Sequence, residues 1–381
     1  MGPLRWEPAD PAAGESAEDT FLRLACLTYA DDDPDRRERA AAMLRADPGL
    51  ATRTAHTAAA CGNVVIADPD EPGGPYGWPP LMYLAYSRLD PVGDPVDAAR
   101  ELLDRGADPG FAVLWRGEPT PFTVLTGVLG EGERGPVAQP RHPRWRELAE
   151  LLLSRGADAK DAQGLYNRMF GPDSAHLALL LAHGLGDDRE LIEGQLRWAV
   201  GHDMADRTRL LLPHAHRPDR PDRPGLLDEL AAEAARLGHR HAAAALDEFG
   251  ARPPELDPVD ALIGTILRGE APDPAAEEVL EQARRTRSWV IVWAAGSGNR
   301  AALATLLELG FPVNARGRGD VALPGTWETA LHQAAHRGDA DLVDLLLAHG
   351  ADRTLRDERF DATPADWAEH AGHSTLASRL R

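Results

Sequence analysis

The 381-residue sequence predicts an all-α chain assembled from helix–turn–helix pairs, and three observations carry that expectation. Apolar residues recur at i, i+3 and i+4 in short runs, glycines punctuate those runs, and one ending, Gly-Ala-Asp, returns at 106–108, 156–158 and 350–352. The clearest pair lies at 329–352. Leu331, Ala334 and Ala335 share one face of a first helix, and Gly338 ends it where the reversing chain needs positive φ. Leu342, Leu345 and Leu346 repeat the spacing on a second helix that stops at Gly350. Helices of about 8–10 residues do not persist alone in water, because nucleation is unfavourable. Each pair must therefore be held by neighbours, with Ala334 and Ala335 permitting close approach and the leucines filling the space between units.

From the N-terminus, residues 1–19 are expected to form a flexible segment, followed by a degenerate array with insertions over 20–216. The run Asp31-Asp32-Asp33-Pro34-Asp35 lacks the spacing and glycine of a calcium loop and caps a helix beginning near Pro34. Residues 53–77 form a shortened pair whose second helix gives way to a Gly/Pro loop at 68–74. First-helix patterns follow at 80–86 and 121–126, with second helices at 99–105 and 148–155. Gly106 and Gly156 stand 50 positions apart, which leaves an insertion around 130–136. Weaker endings occur at Gly184, Gly250 and Gly310. Residues 217–225 carry prolines that forbid a helix and form a loop or hinge before a C-terminal array over 226–381. The 60 positions from Gly250 to Gly310 leave room for a weak pair at 257–285, and Trp289–Gly296 with 301–309 makes another. The segment 363–373 opens a last copy.

The stretch T-x-L-H-x-A-A at 329–335, a glycine, and L-V-x-L-L-L-x-x-G-A-D at 342–352 together resemble one complete ankyrin repeat. The resemblance covers about 20–381, most strongly 287–381 and least well 160–256. It implies an ankyrin-type α-solenoid of about nine to ten repeats, several of them degenerate, since one unit cannot cover its own apolar face. It also implies a non-enzymatic scaffold that binds a protein partner along a concave surface of hairpin tips and first helices. Carried to this sequence, that surface comprises Arg316, Arg318, Asp320 and Trp327 in a long loop, Glu328, Gln333 and His336 on the first helix, and Arg353, Arg356, Asp357 and Arg359 in the next loop. His332, in the T-x-L-H position, is implied to tie neighbouring turns together rather than to act chemically.

Composition narrows the alternatives. Forty-one basic and 61 acidic residues give a net charge of −20, which repels phosphate backbones and argues against nucleic acid. No run approaches the ~20 apolar residues of a membrane span, and the first ten residues lack a signal-peptide core. Cys26 and Cys61 are too few for a disulfide framework and suit a reducing cytoplasm. Lys160 is the single lysine, a bias expected of a high-GC bacterial genome. Gly296-Ser297-Gly298-Asn299-Arg300-Ala301 matches a dinucleotide fingerprint, but a helix rather than a strand is expected before it. His332 and His336 stand four apart with no third ligand implied, so no metal and no cofactor is expected. Trp289 and Trp293 are read as gap fillers in the core, and Trp327 as a contact residue. A monomer is expected. The alternative is a small-molecule or enzymatic site built from the insertions at 68–77 and 130–144.

Overall fold

The computed structural model describes residues 3–8, 13–65, 68–215, 225–252, 254–273 and 277–381. Most of the expected 217–225 loop or hinge lies outside the described residues. Among those described, the chain forms 23 α-helices and five short strands, grouped into compact units spanning 1–195 and 196–381.

In the second unit, helix Ala330–His336 packs against Val290–Gly296 on one side and Pro364–His370 on the other, with Ala340–Ala348 as the second helix of its own pair. The turn between the two helices is made at Gly338, whose φ of 68° most side chains avoid. Leu331, Ala334, Ala335, Leu342 and Leu346 are buried as the spacing requires. The second helix is rotated slightly from expectation, because Val343 is buried and Leu345 only half so. The segment 257–285 does hold a helix pair, Pro258–Leu267 and Glu277–Thr286. One apolar core runs from Val259 to Leu380 and includes Trp293, with Trp289 packed against it. The fingerprint glycines fall between helices Val290–Gly296 and Arg300–Glu308, so no strand precedes them and the dinucleotide geometry is absent there.

First helices start on a recurring device. Thr54, Thr123, Thr329 and Thr363 each accept the third helical backbone N–H, and the side chain at that third position takes the N-cap N–H in return. Second helices use a single acidic or amide cap instead, Asp94, Asn299 and Asp339, and Asp257 caps the first helix of its own pair in the same way.

The first unit departs from a purely helical fold. Strand β1 (Leu4–Trp6) runs parallel to β2 (Ala112–Trp115), which pairs antiparallel with β3 (Phe122–Thr123). Residues 1–19 are thus not flexible throughout: Leu4–Trp6 are held by the ladder, and a helix begins at Ala17. Trp6 is 2% exposed, with Tyr76, Trp78, Tyr86 and Phe122 at centroid distances between 5.0 and 6.5 Å. Apolar burial on that scale is what holds a three-residue strand. In the second unit, β4 (Arg316–Gly317) pairs with β5 (Glu328–Thr329) and closes the long loop expected there.

The insertions are structural ties. Arg88 is buried and donates to the carbonyls of Ala85 (3.0 Å), Ser87 (2.7 Å), Pro140 (2.6 Å) and Gly127. Burial pulls its pKa down to about 10, which still leaves it a cation at neutral pH. Glu131 pairs with buried Arg168 and, at 3.3 Å, with Arg141. In the other insertion, Tyr83 donates its hydroxyl to the Gly73 carbonyl at 2.9 Å, and a His56 ring nitrogen lies 2.9 Å from the Glu71 carbonyl.

Contacts between successive pairs in the second unit predict how it fails. Replacing fully buried Leu346 with Asp strands a carboxylate in the core, at a cost on the order of 3–5 kcal/mol. Hydrogen exchange should show protection lost first over 330–381. Equal loss over 258–310 would contradict that order.

Candidate protein-binding surface

The long loop 316–329 is not a free arm. Arg316 donates to the carbonyls of Thr326 (3.3 Å) and Trp327 (3.0 Å) within the loop, and to that of Arg356 (2.7 Å) in the next. The Glu358 N–H donates to the Trp327 carbonyl at 2.9 Å, and the Thr326 hydroxyl to the Glu358 carboxylate at 2.6 Å. The two loops are therefore stitched side by side, with Arg316 as the stitch.

Gly319 presses into the first-helix face. A Cβ on Gly296 would meet the Gly319 carbonyl oxygen at 2.5 Å, and one on Gly319 would meet the Gln333 side chain at 2.1 Å. Gly296 thus depends on having no side chain, because the atoms it would meet are backbone, whereas a side chain at 319 would have to displace Gln333. Glu328 is 4% exposed and accepts from the Gly319 N–H (2.8 Å) and the Gln333 amide (2.9 Å). Burial pushes its carboxyl above the usual range. Two of the expected contact residues are corrected by this geometry. Glu328 is buried beneath the loop, and the amide of half-buried Gln333 is directed at Glu328, because the loop's backbone N–H needed an acceptor in place of water.

Asp357 is a third correction. It is 3% exposed and accepts from the N–H groups of Arg359 (2.8 Å), Phe360 (2.6 Å) and Ala362 (3.0 Å) and from the Trp367 indole N–H (3.0 Å). Burial works against its charge, but Trp367 and the three backbone donors outweigh it and hold the carboxyl below the ordinary range. Its role is to shape the 357–362 turn. Arg316, as the stitch, and Arg356, which donates to the Asp361 carbonyl, are likewise committed inside the loops.

What remains at the surface is a cation–aromatic group. The Arg318 guanidinium lies 4.0 Å from the Trp327 ring centre, and that of Arg359 lies 4.9 Å from it and 5.0 Å from the Phe360 ring. Arg318 grips Asp320 with two hydrogen bonds, Nε at 2.9 Å and Nη2 at 2.5 Å. Although burial opposes it, this pairing holds the Asp320 carboxyl below its usual range. Arg353 is exposed, with no ion-pair partner among the described residues. His336 is exposed and edge-on to Trp367 at 5.7 Å. Partial burial, the neighbouring imidazoles of His370 and His373 and the Arg337 guanidinium hold its pKa down. The structure thus brings Arg318, Asp320, Trp327 and Arg359 together, with Arg353 and His336 elsewhere on the surface. Two exposed apolar side chains in these loops were missed in the sequence, Phe360 at 62% and Leu323 at 57%. Phe360 had a signal: an aromatic residue between Arg359 and Asp361 in a loop, with no apolar partner at helical spacing.

His332 is where the sequence placed it. Its Nδ1 accepts from the Thr329 N–H at 3.2 Å, and its Nε2 lies 3.1 Å from the Ala362 carbonyl of the next turn. Both ring nitrogens are thereby used, Nε2 carrying the proton, and no third ligand joins it: no group of three metal-ligating side chains occurs among the described residues. The insertions at 68–77 and 130–144 share no hydrogen bond, ion pair or ring contact among the described residues.

Two outcomes follow. Asp357→Asn should destabilise the second unit by about 2–3 kcal/mol in chemical denaturation, because an amide cannot accept all four bonds. The wild-type carboxylate's contribution is present above its unfolded pKa of about 3.9 and is lost as pH falls through the lower folded value. The Asn variant should lack that acid-side slope. For His332, burial holds the folded pKa below the unfolded ~6.5, so stability is full above that pH and declines as pH falls towards the folded value. Denaturation midpoints of His332→Gln should be flatter as pH falls below about 6.5 than those of the wild type.

No curated protein matches the chain. The sequence model of one family, described as ankyrin repeats (many copies), matches residues 305–368. That span starts in the second helix of one pair, crosses the stitched loops and the complete pair at 330–348, and ends in helix Pro364–His370. It encloses the capped helices Ala330–His336 and Ala340–Ala348, the Gly338 turn and the His332 tie, and over residues 305–368 the chain is similar to ankyrin repeats.

Proposed function

We propose that the chain is a non-enzymatic scaffold, a bacterial cytoplasmic protein whose helix pairs form an ankyrin-type solenoid of about nine to ten units and which grips a protein partner. Ankyrin repeats generally mediate protein–protein interaction, and the family match supports that class of role here. The observation that carries the reading is the surface cluster of exposed Arg359 and Phe360 with half-buried Trp327 and Arg318, held in place by Arg316 and Asp357. Aromatic and arginine side chains are the types enriched where interfaces concentrate their binding energy. A pre-ordered loop also loses less entropy on binding than a mobile one. Net charge of −20 and the absence of any long apolar helix among the described residues support a protein rather than nucleic acid or a bilayer as the partner.

Compared with the expected concave trough, the proposed contact surface is shifted from the first-helix face to the loop tips. Gly319 and Glu328 occupy the face between Gly296 and Gln333.

A photo-crosslinking amino acid placed at Phe360, and separately at Val137, tests this in extracts of the source cell. Val137 is 71% exposed but lies far along the sequence from the cluster. A discrete adduct is expected from position 360 alone, and excess unmodified chain should suppress it. Equal labelling from both positions, or none from 360, would count against the scaffold reading.

A further inference from the structure

We infer that Arg359 is a carboxylate seat, and that it takes an Asp or Glu side chain of an extended partner peptide whose neighbouring apolar residue rests on Phe360. This deepens the protein-binding reading and depends on it. The structure holds its own precedent one ring away. Arg318 lies over Trp327 and presents Nε and Nη2 to both oxygens of Asp320 at 2.9 and 2.5 Å. Arg359 lies on the same ring and on Phe360 at 4.9 and 5.0 Å, yet among the described residues no carboxylate pairs with it and no side-chain hydrogen bond engages it. A guanidinium stacked on aromatic rings keeps its N–H edge available, and that edge matches a carboxylate with two parallel hydrogen bonds.

Electrostatics favours the same occupant. Two guanidinium groups sit within 5 Å of one ring centre, and of the two Arg318 alone has an ion-pair partner among the described residues. A second carboxylate would complete the symmetry. The surroundings are already ordered for it: the Trp327 carbonyl is held by Arg316 and Glu358, and the Arg359 N–H is held by Asp357. Phe360, 62% exposed beside that edge, supplies the apolar half of the seat. An acidic residue adjacent to Leu, Ile, Met or Phe satisfies both halves.

The test selects short random peptides displayed on phage against the full chain, with counter-selection against Arg359→Ala, followed by titration of synthetic copies. Recovered sequences should pair Asp or Glu with an apolar neighbour. Changing that acid to its amide, or using Arg359→Ala or Phe360→Ala, should each weaken binding about tenfold. Arg359→Lys should not restore it, since an ammonium keeps the charge but loses the fork. Thermal melts of the variants should match wild type, because the Arg359 side chain is exposed and bonds no backbone. Peptides without an acidic residue, or a failure to recover any, would overturn the seat. Peptides that bind wild type and Arg359→Ala alike would also remove it, while leaving protein recognition by the chain intact.

Discussion

A seven-residue helix cannot hold itself together, and helix Ala330–His336 is one of many in this chain. Isolated helices below about 12–15 residues are marginal in water, so the stability of each must come from the neighbours on either side. Alanines at the contact positions let helices Val290–Gly296, Ala330–His336 and Pro364–His370 approach closely enough to share one core. His332 adds a polar tie in the same direction, since one ring nitrogen caps its own helix through Thr329 and the other reaches the carbonyl of Ala362 in the next turn. Burial in one unit is thereby inseparable from burial in the next.

The same constraint decides what the loops do with their charges. A loop laid against a helix face hides backbone N–H groups from water, and those groups need acceptors. Glu328 serves Gly319, and Asp357 serves three backbone N–H groups of one turn plus the Trp367 indole. Arg316 does the converse for carbonyls, as Arg88 does in the first unit around the 130–144 insertion. Charged residues that look like surface contacts are in these places the internal framework. That framework is also what leaves Arg318, Trp327 and Arg359 in fixed positions at the surface, which is the property a recognition site requires.

Much of this was legible in the sequence. The i, i+3, i+4 spacing of Leu331, Ala334 and Ala335, the turn at Gly338 and the cap at Pro34 all depend on local geometry, and the chain forms them where the pattern puts them. The core roles of Trp289 and Trp293 follow from the same helical spacing. Local pattern could not reveal strand β1, because a three-residue segment acquires its order from Ala112–Trp115 and the Trp78–Tyr86 aromatics, more than seventy positions away. Nor could it distinguish Arg359 from Arg316, two arginines in similar loops. Which guanidinium is consumed by carbonyls and which stays exposed depends on how one loop lies beside the next.

The sequence by itself determined that short helices would form in pairs and where they would turn, since caps, glycines and apolar spacing act over a few residues. The tertiary structure alone decided which polar side chains face inward. Glu328 is buried where the Gly319 N–H needs an acceptor once packing has excluded water, and Asp357 where its own turn is laid against the Trp367 indole.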